Sequence, residues 1–98
     1  MEGNAKQIAV LLRVLANEHR LVILCALMRC PMTVGEIARH VPGITQSALS
    51  QHLQLLKAHG ILACRKSGQS VTYSIADHRV EEIIAVLREY YCAEGELA

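Results

Sequence analysis

Apolar and polar positions repeat along the chain with two different periods, and the change of period divides it into elements. Over Ala5 to Ala16, Ile8, Leu11, Leu12 and Leu15 form the apolar stripe of a helix, while Val10 and Val14 add a second apolar side. A short helix apolar on two sides needs more partners than one small core supplies, so a homodimer interface is expected there. Asn17 is placed to cap a second helix over about Glu18 to Arg29, which carries the apolar run from Leu21 to Met28. Pro31 stops it. Thr33-Val34-Gly35-Glu36 then has the spacing of a capping box, opening a short third helix that ends near His40 or Val41. Pro42-Gly43 breaks that helix, and Thr45 can cap a fourth that runs to His59, with Gly60 in the left-handed position beyond it.

After Gly60 the period falls to two. Val71, Tyr73 and Ile75 alternate with Thr72 and Ser74, and pairing them with Leu62 to Lys66 across Ser67-Gly68-Gln69 predicts a β-hairpin. Asp77 caps a fifth helix, in which Val80, Ile83, Ile84, Leu87 and Tyr91 recur at helical spacing. The order α-α-α-α-β-β-α is that of a winged helix-turn-helix, a mainly α (α+β) fold. A single domain over 1–98 is expected, with the helix-turn-helix at about 33–59 and the wing at about 62–76.

Composition narrows this reading in three ways. At 98 residues and 52% apolar, the chain is a folded domain rather than a disordered segment. Its aromatics are three Tyr, so the core is aliphatic. The net charge of +1 hides a segregation: Ile37 to Ala76 contains no acidic residue, but holds Arg39, Lys57, Arg65, Lys66, His40, His52 and His59. From Asp77 onward there are six acidic and two basic side chains. A polyanion fits the acid-free stretch and is repelled by the rest. Met1 to Gln7 lacks the pattern of a signal peptide and the longest apolar run is eight residues, so a cytoplasmic location is expected. Cys25, Cys30, Cys64 and Cys92 would there be reduced thiols, and their spacing leaves all three pairings open. With no Gly-rich phosphate loop and no nucleophile–base set, neither an enzyme nor a cofactor is expected.

The fourth helix carries the sharpest signal. At about 100° per residue, Leu49, Leu53 and Leu56 face the core. The opposite side shows Gln46, Ser47, Ser50, Gln51, Gln54 and Ala58, a face that hydrogen-bonds without charge. An ordinary solvated helix carries Glu and Lys there. Carboxylates would repel phosphate, whereas Ser and Gln bond both phosphates and base edges. Arg65, Lys66 and Gln69 near the hairpin turn suit backbone or minor-groove contact. Against this stand a merely polar helix and a solvated charged turn, and a winged helix serving only protein contacts is the reading from another class. His52 and His59, at the flank of the apolar stripe, read as packing histidines.

Asn17-Glu18-His19-Arg20-Leu21, Thr33-Val34-Gly35-Glu36-Ile37-Ala38, Gln46-Ser47-Ala48-Leu49-Ser50-Gln51-His52-Leu53, Gly60-Ile61-Leu62 and Tyr73-Ser74-Ile75 together resemble the ArsR/SmtB family, over roughly residues 7–92. The resemblance implies a bacterial transcriptional repressor, homodimeric through its first and fifth helices (about 5–16 and 77–92), bound to a pseudo-palindromic DNA operator and released by an inducer. It makes Gln46, Ser47, Ser50 and Gln51 groove contacts, with His52 beside them.

The family's metal sensors carry ligands that this chain lacks. Its third helix, Val34 to His40, contains no cysteine, and Asp77-His78 puts the histidine one position early for the zinc pattern, with no histidine after it. Cys25 within Ile23-Leu24-Cys25-Ala26-Leu27 and Cys92 after Tyr90-Tyr91 instead resemble the two cysteines of the BigR/SqrR/HlyU-like branch, in which reactive sulfur species or oxidants join the second helix to the end of the fifth. The resemblance thus implies a thiol switch at Cys25 and Cys92. On position alone, Cys25 is a small hydrophobe on the Leu21–Met28 stripe, and a repressor answering a metal or other small ligand, or no inducer, is the alternative.

Overall fold

The computed structural model describes residues 2–91. A 3₁₀ turn, Glu2–Asn4, leads into α1 (Ala5–Leu15) and α2 (Glu18–Leu27). A short strand β1 (Met32–Thr33) then precedes α3 (Val34–Ala38) and α4 (Gln46–Ala58). The hairpin strands are β2 (Leu62–Ser67) and β3 (Ser70–Ile75), followed by α5 (His78–Tyr91). This is the expected winged helix-turn-helix with one addition. The sequence reading contained two strands, whereas the sheet has three, in the antiparallel order β1-β3-β2. Met32 pairs with Tyr73 and Thr33 with Thr72. A two-residue strand is too short to show a period; its partner exists only once the chain has folded.

Local chemistry sets the boundaries. The Asn17 side chain accepts the Arg20 N–H at 3.1 Å, opening α2. Thr33 Oγ1 accepts the Glu36 N–H at 3.3 Å while Glu36 Oε1 accepts the Thr33 N–H at 2.9 Å, so the capping box is complete. Those bonds hold the Glu36 carboxyl below its usual range. Thr45 Oγ1 takes the Ala48 N–H at 3.1 Å, and α4 closes through Gly60 at φ 74°. Ser67 pairs with Ser70, so Gly68 and Gln69 alone turn the hairpin. Gly68 has φ 61°, as the first central position of a type II′ turn demands. Asp77 Oδ1 accepts the Arg79 N–H at 3.0 Å at the head of α5.

One aliphatic core joins these elements. Ile23 and Leu24 of α2, Ile37 of α3, Leu53 and Leu56 of α4, and Val80 and Ile84 of α5 are all essentially inaccessible. Tyr73 is the buried aromatic, in the central strand. Among the described residues, no helix is long and apolar enough to cross a membrane.

Candidate nucleic-acid interface

Burial of Leu49, Leu53 and Leu56 fixes the rotation of α4, and the rest of the helix follows from 3.6 residues per turn. Gln46, Ser47, Ser50, Gln51 and Gln54 are exposed together on the outer side. At about 1.5 Å per residue the helix is roughly 20 Å long, and an α-helix fits the major groove, about 12 Å wide. Before it, the turn after α3 is held from inside by Val41, which is buried, and is made tight by Gly43 at φ 83°.

The hairpin packs against α4 through β2. Arg65 stands opposite Thr72 and Lys66 opposite Val71 near its tip, with Gln69 in the turn, and all three candidates are exposed. Gln54 Nε2 donates to the Tyr73 hydroxyl at 3.4 Å, so helix and wing are joined by a polar contact as well as by packing. The structure therefore brings eight of the nine candidate contacts to exposed positions on α4 and the hairpin that packs on it.

His52 is the ninth and stands apart. It is half-buried, and its Nδ1 lies 3.3 Å from Nη1 of Arg20 on α2. The His19 ring meets it edge-on with centroids 5.7 Å apart. Burial first, then the charges of Arg20 and His19, hold its pKa below the ordinary histidine value. The packing role expected of His52 is what its surroundings supply. His59, given the same role, is exposed at the end of α4 instead, beside Gln7, Leu11, Asp77 and Arg79 around a cavity of about 490 Å³. Sequence reasoning missed Arg20 and the tie from Gln54 to Tyr73, since both join residues distant in the chain.

Cys25 is 1% exposed, in the core formed with Ile23, Leu24, Val80 and Ile84. Its helix, α2, packs on α5, whose last described residue is Tyr91. Cys92, the other candidate thiol, lies outside the described residues. Cys30 is exposed after α2, and Cys64 is half-buried opposite Tyr73.

Known proteins repeat this arrangement. A helix-turn-helix domain model matches residues 15–65. The transcriptional activator HlyU of Vibrio cholerae is 41% identical over 98% of this chain and 88% of its own length. A structure of reduced HlyU superposes with a TM-score of 0.87 over 95% of this chain and 97% of that one. The biofilm growth-associated repressor of Xylella fastidiosa is 31% identical over the whole of this chain and 85% of its own. The BigR repressor structure from Xylella fastidiosa gives a TM-score of 0.86 at 31% identity, over 96% of this chain and 95% of that one. With its winged helix-turn-helix, its exposed α4 face and these relatives over nearly its whole length, the chain belongs to the ArsR/SmtB family of transcriptional repressors, in the branch of HlyU and BigR.

Proposed function

We infer that this single-domain protein is a homodimeric repressor that binds a pseudo-palindromic operator through Gln46, Ser47, Ser50, Gln51 and Gln54 in the major groove and Arg65, Lys66 and Gln69 on the flanking backbone. The carrying observation is the exposed, carboxylate-free face of α4 with a basic wing packed beside it. Dimerisation through α1 and α5 is supported by large apolar side chains left in water on both helices: Leu12 is 52% and Val86 50% exposed. A dimer must set its recognition helices about 34–36 Å apart to enter successive grooves, so anything that shifts α5 against the core changes operator affinity.

The switch we assign to Cys25 and Cys92. Cys25 sits on the helix that packs against α5, and Cys92 follows Tyr91, the last described residue of α5, in the sequence. Linking them removes two electrons and two protons. Hydrogen peroxide takes them and leaves as two waters; the disulfane HSSH takes them and leaves as two hydrogen sulfide molecules. Either way the product is one disulfide, tying the dimerisation helix to the core. A redox role is also supported by a relative 41% identical whose structure is of the reduced form.

Gel shifts with a duplex selected from a random-sequence pool test both halves. The reduced protein binds with a steep dependence on salt, since each phosphate contact releases counterions. Peroxide or polysulfide releases it and dithiothreitol restores it, while Cys92→Ser and Cys25→Ser stay bound. Binding that ignores salt overturns the DNA reading, and release of both serine variants overturns the thiol pair.

A further inference from the structure

α1 ends at Leu15, and the last carbonyls of a helix have no partner within it. One of them, Val14, is taken by Nε of Arg20 from the first turn of α2. The same guanidinium reaches on through Nη1 to Nδ1 of His52, in the middle of α4. A single side chain thus touches the helix expected to dimerise, belongs to the helix that carries Cys25, and holds the helix that faces DNA. Both Arg20 and His52 are half-buried.

The chemistry of this contact is one-sided. A guanidinium only donates, so Nδ1 of His52 is the acceptor and the ring proton sits on Nε2. An imidazolium has no lone pair to offer and adds a second positive charge against Arg20. The charged and titratable groups acting on His52 are Arg20 and His19, both from α2. Glu36 and Arg39 at α3, and Arg65 and Lys66 on β2, are the charged groups of other elements packed on α4. Among the described residues, no carboxylate forms an ion pair with the His52 ring.

We propose that Arg20 and neutral His52 form a clasp that positions α4 for the operator, and that protonation of His52 opens it. The clasp rests on the DNA-binding reading above and adds two positioning residues to it, neither of which touches DNA. Its neighbours Ser50 and Gln51 are groove candidates, so a turn of α4 about His52 misplaces them directly. Arg20 belongs to the helix that carries Cys25, and His52 to the helix that carries the groove candidates.

The test compares dissociation constants for a selected duplex and a scrambled one, at fixed ionic strength, between about pH 7.5 and about pH 5.5. The ratio of the two removes the general gain in phosphate attraction that any new positive charge brings. For the wild type we expect this specificity ratio to fall by about twofold to fivefold toward acid, because a ring held below the ordinary histidine value is only partly protonated there. His52→Asn carries an oxygen near the place of Nδ1 and does not titrate, so it binds like the wild type at the higher pH and stays flat. His52→Leu and Arg20→Met lose about tenfold throughout, remain folded by circular dichroism, and are no weaker when combined. Independently of DNA, nitrogen NMR of His52 shows a bare Nδ1 and a protonated Nε2, and Arg20→Met moves its titration upward.

Wild-type affinity in a folded His52→Leu, or an acid limb retained in His52→Asn, overturns the clasp. So does a His52 titration that Arg20→Met leaves unmoved. If the wild type does not distinguish the duplexes while the NMR signature of His52 is present, it is the DNA-binding reading that falls, and the positioning role with it.

Discussion

The middle of the chain and its two flanks solve opposite problems with the same kinds of helix. α4 is amphipathic and its outer side is exposed and free of acid; Leu55, at 36% exposure, is the large apolar side chain it leaves uncovered. α1 and α5 bury one side in the core and still present Leu12, Val86, Tyr90 and Tyr91 to solvent. The acidic residues follow the same division, with six of nine at or beyond Asp77 and none from Ile37 to Ala76. A surface meant for a polyanion excludes carboxylates, whereas a surface meant for another protein tolerates them at its rim. The contrast shows that a net charge of +1 describes neither region.

The comparison breaks most severely where both regions share a core. Leu53→Ala, at a site 1% exposed, removes the seat of α4 and should cost about 2–5 kcal/mol in denaturant unfolding. Next comes the chemical character of the polar face. Gln51→Glu places one carboxylate in the acid-free stretch, and operator affinity should fall by about 1–3 kcal/mol while stability stays within about 0.5 kcal/mol. The same change at Ala85, exposed on α5, should leave DNA binding untouched, which measures how far the two surfaces are separate. Thr33→Ala removes half of the capping box of α3 and should cost about 1 kcal/mol of thermal stability.

The smallest effect is the acid limb. Glu36 and Asp77 are both held below their ordinary values, Glu36 by its bonds to Thr33 and Asp77 first by the Arg79 side chain at 3.0 Å. A carboxyl whose folded pKa is depressed binds fewer protons folded than unfolded, so its contribution is present above the ordinary value and fades as pH falls through the folded one. A melting temperature that declines gently below about pH 4.5, and less so in Thr33→Ala, is the expected profile.

Much of this was legible because it is local. A cap and its N–H lie three residues apart, as at Asn17, Thr33 and Thr45, so spacing alone reveals them. Helix ends moved by a residue or two: α2 stops at Leu27 rather than Arg29, and α4 at Ala58 rather than His59. The candidate α4 face was legible for the same reason, since burying one leucine stripe dictates what the other side shows. His59 was misjudged because its place at the end of the helix, outside the packed turns, is not a matter of period.

What the sequence determined by itself is the set of elements, their ends, and the division of charge between them, all written in intervals of two to four residues. Only tertiary structure decided that Met32 and Thr33 become a strand, that Gln54 meets Tyr73, and that Arg20 reaches His52. The last two contacts span 19 and 32 residues. No local period encodes such distances. They exist because the aliphatic core sets α2, α4 and the sheet at fixed positions, and polar side chains then bond whatever that packing brings within reach.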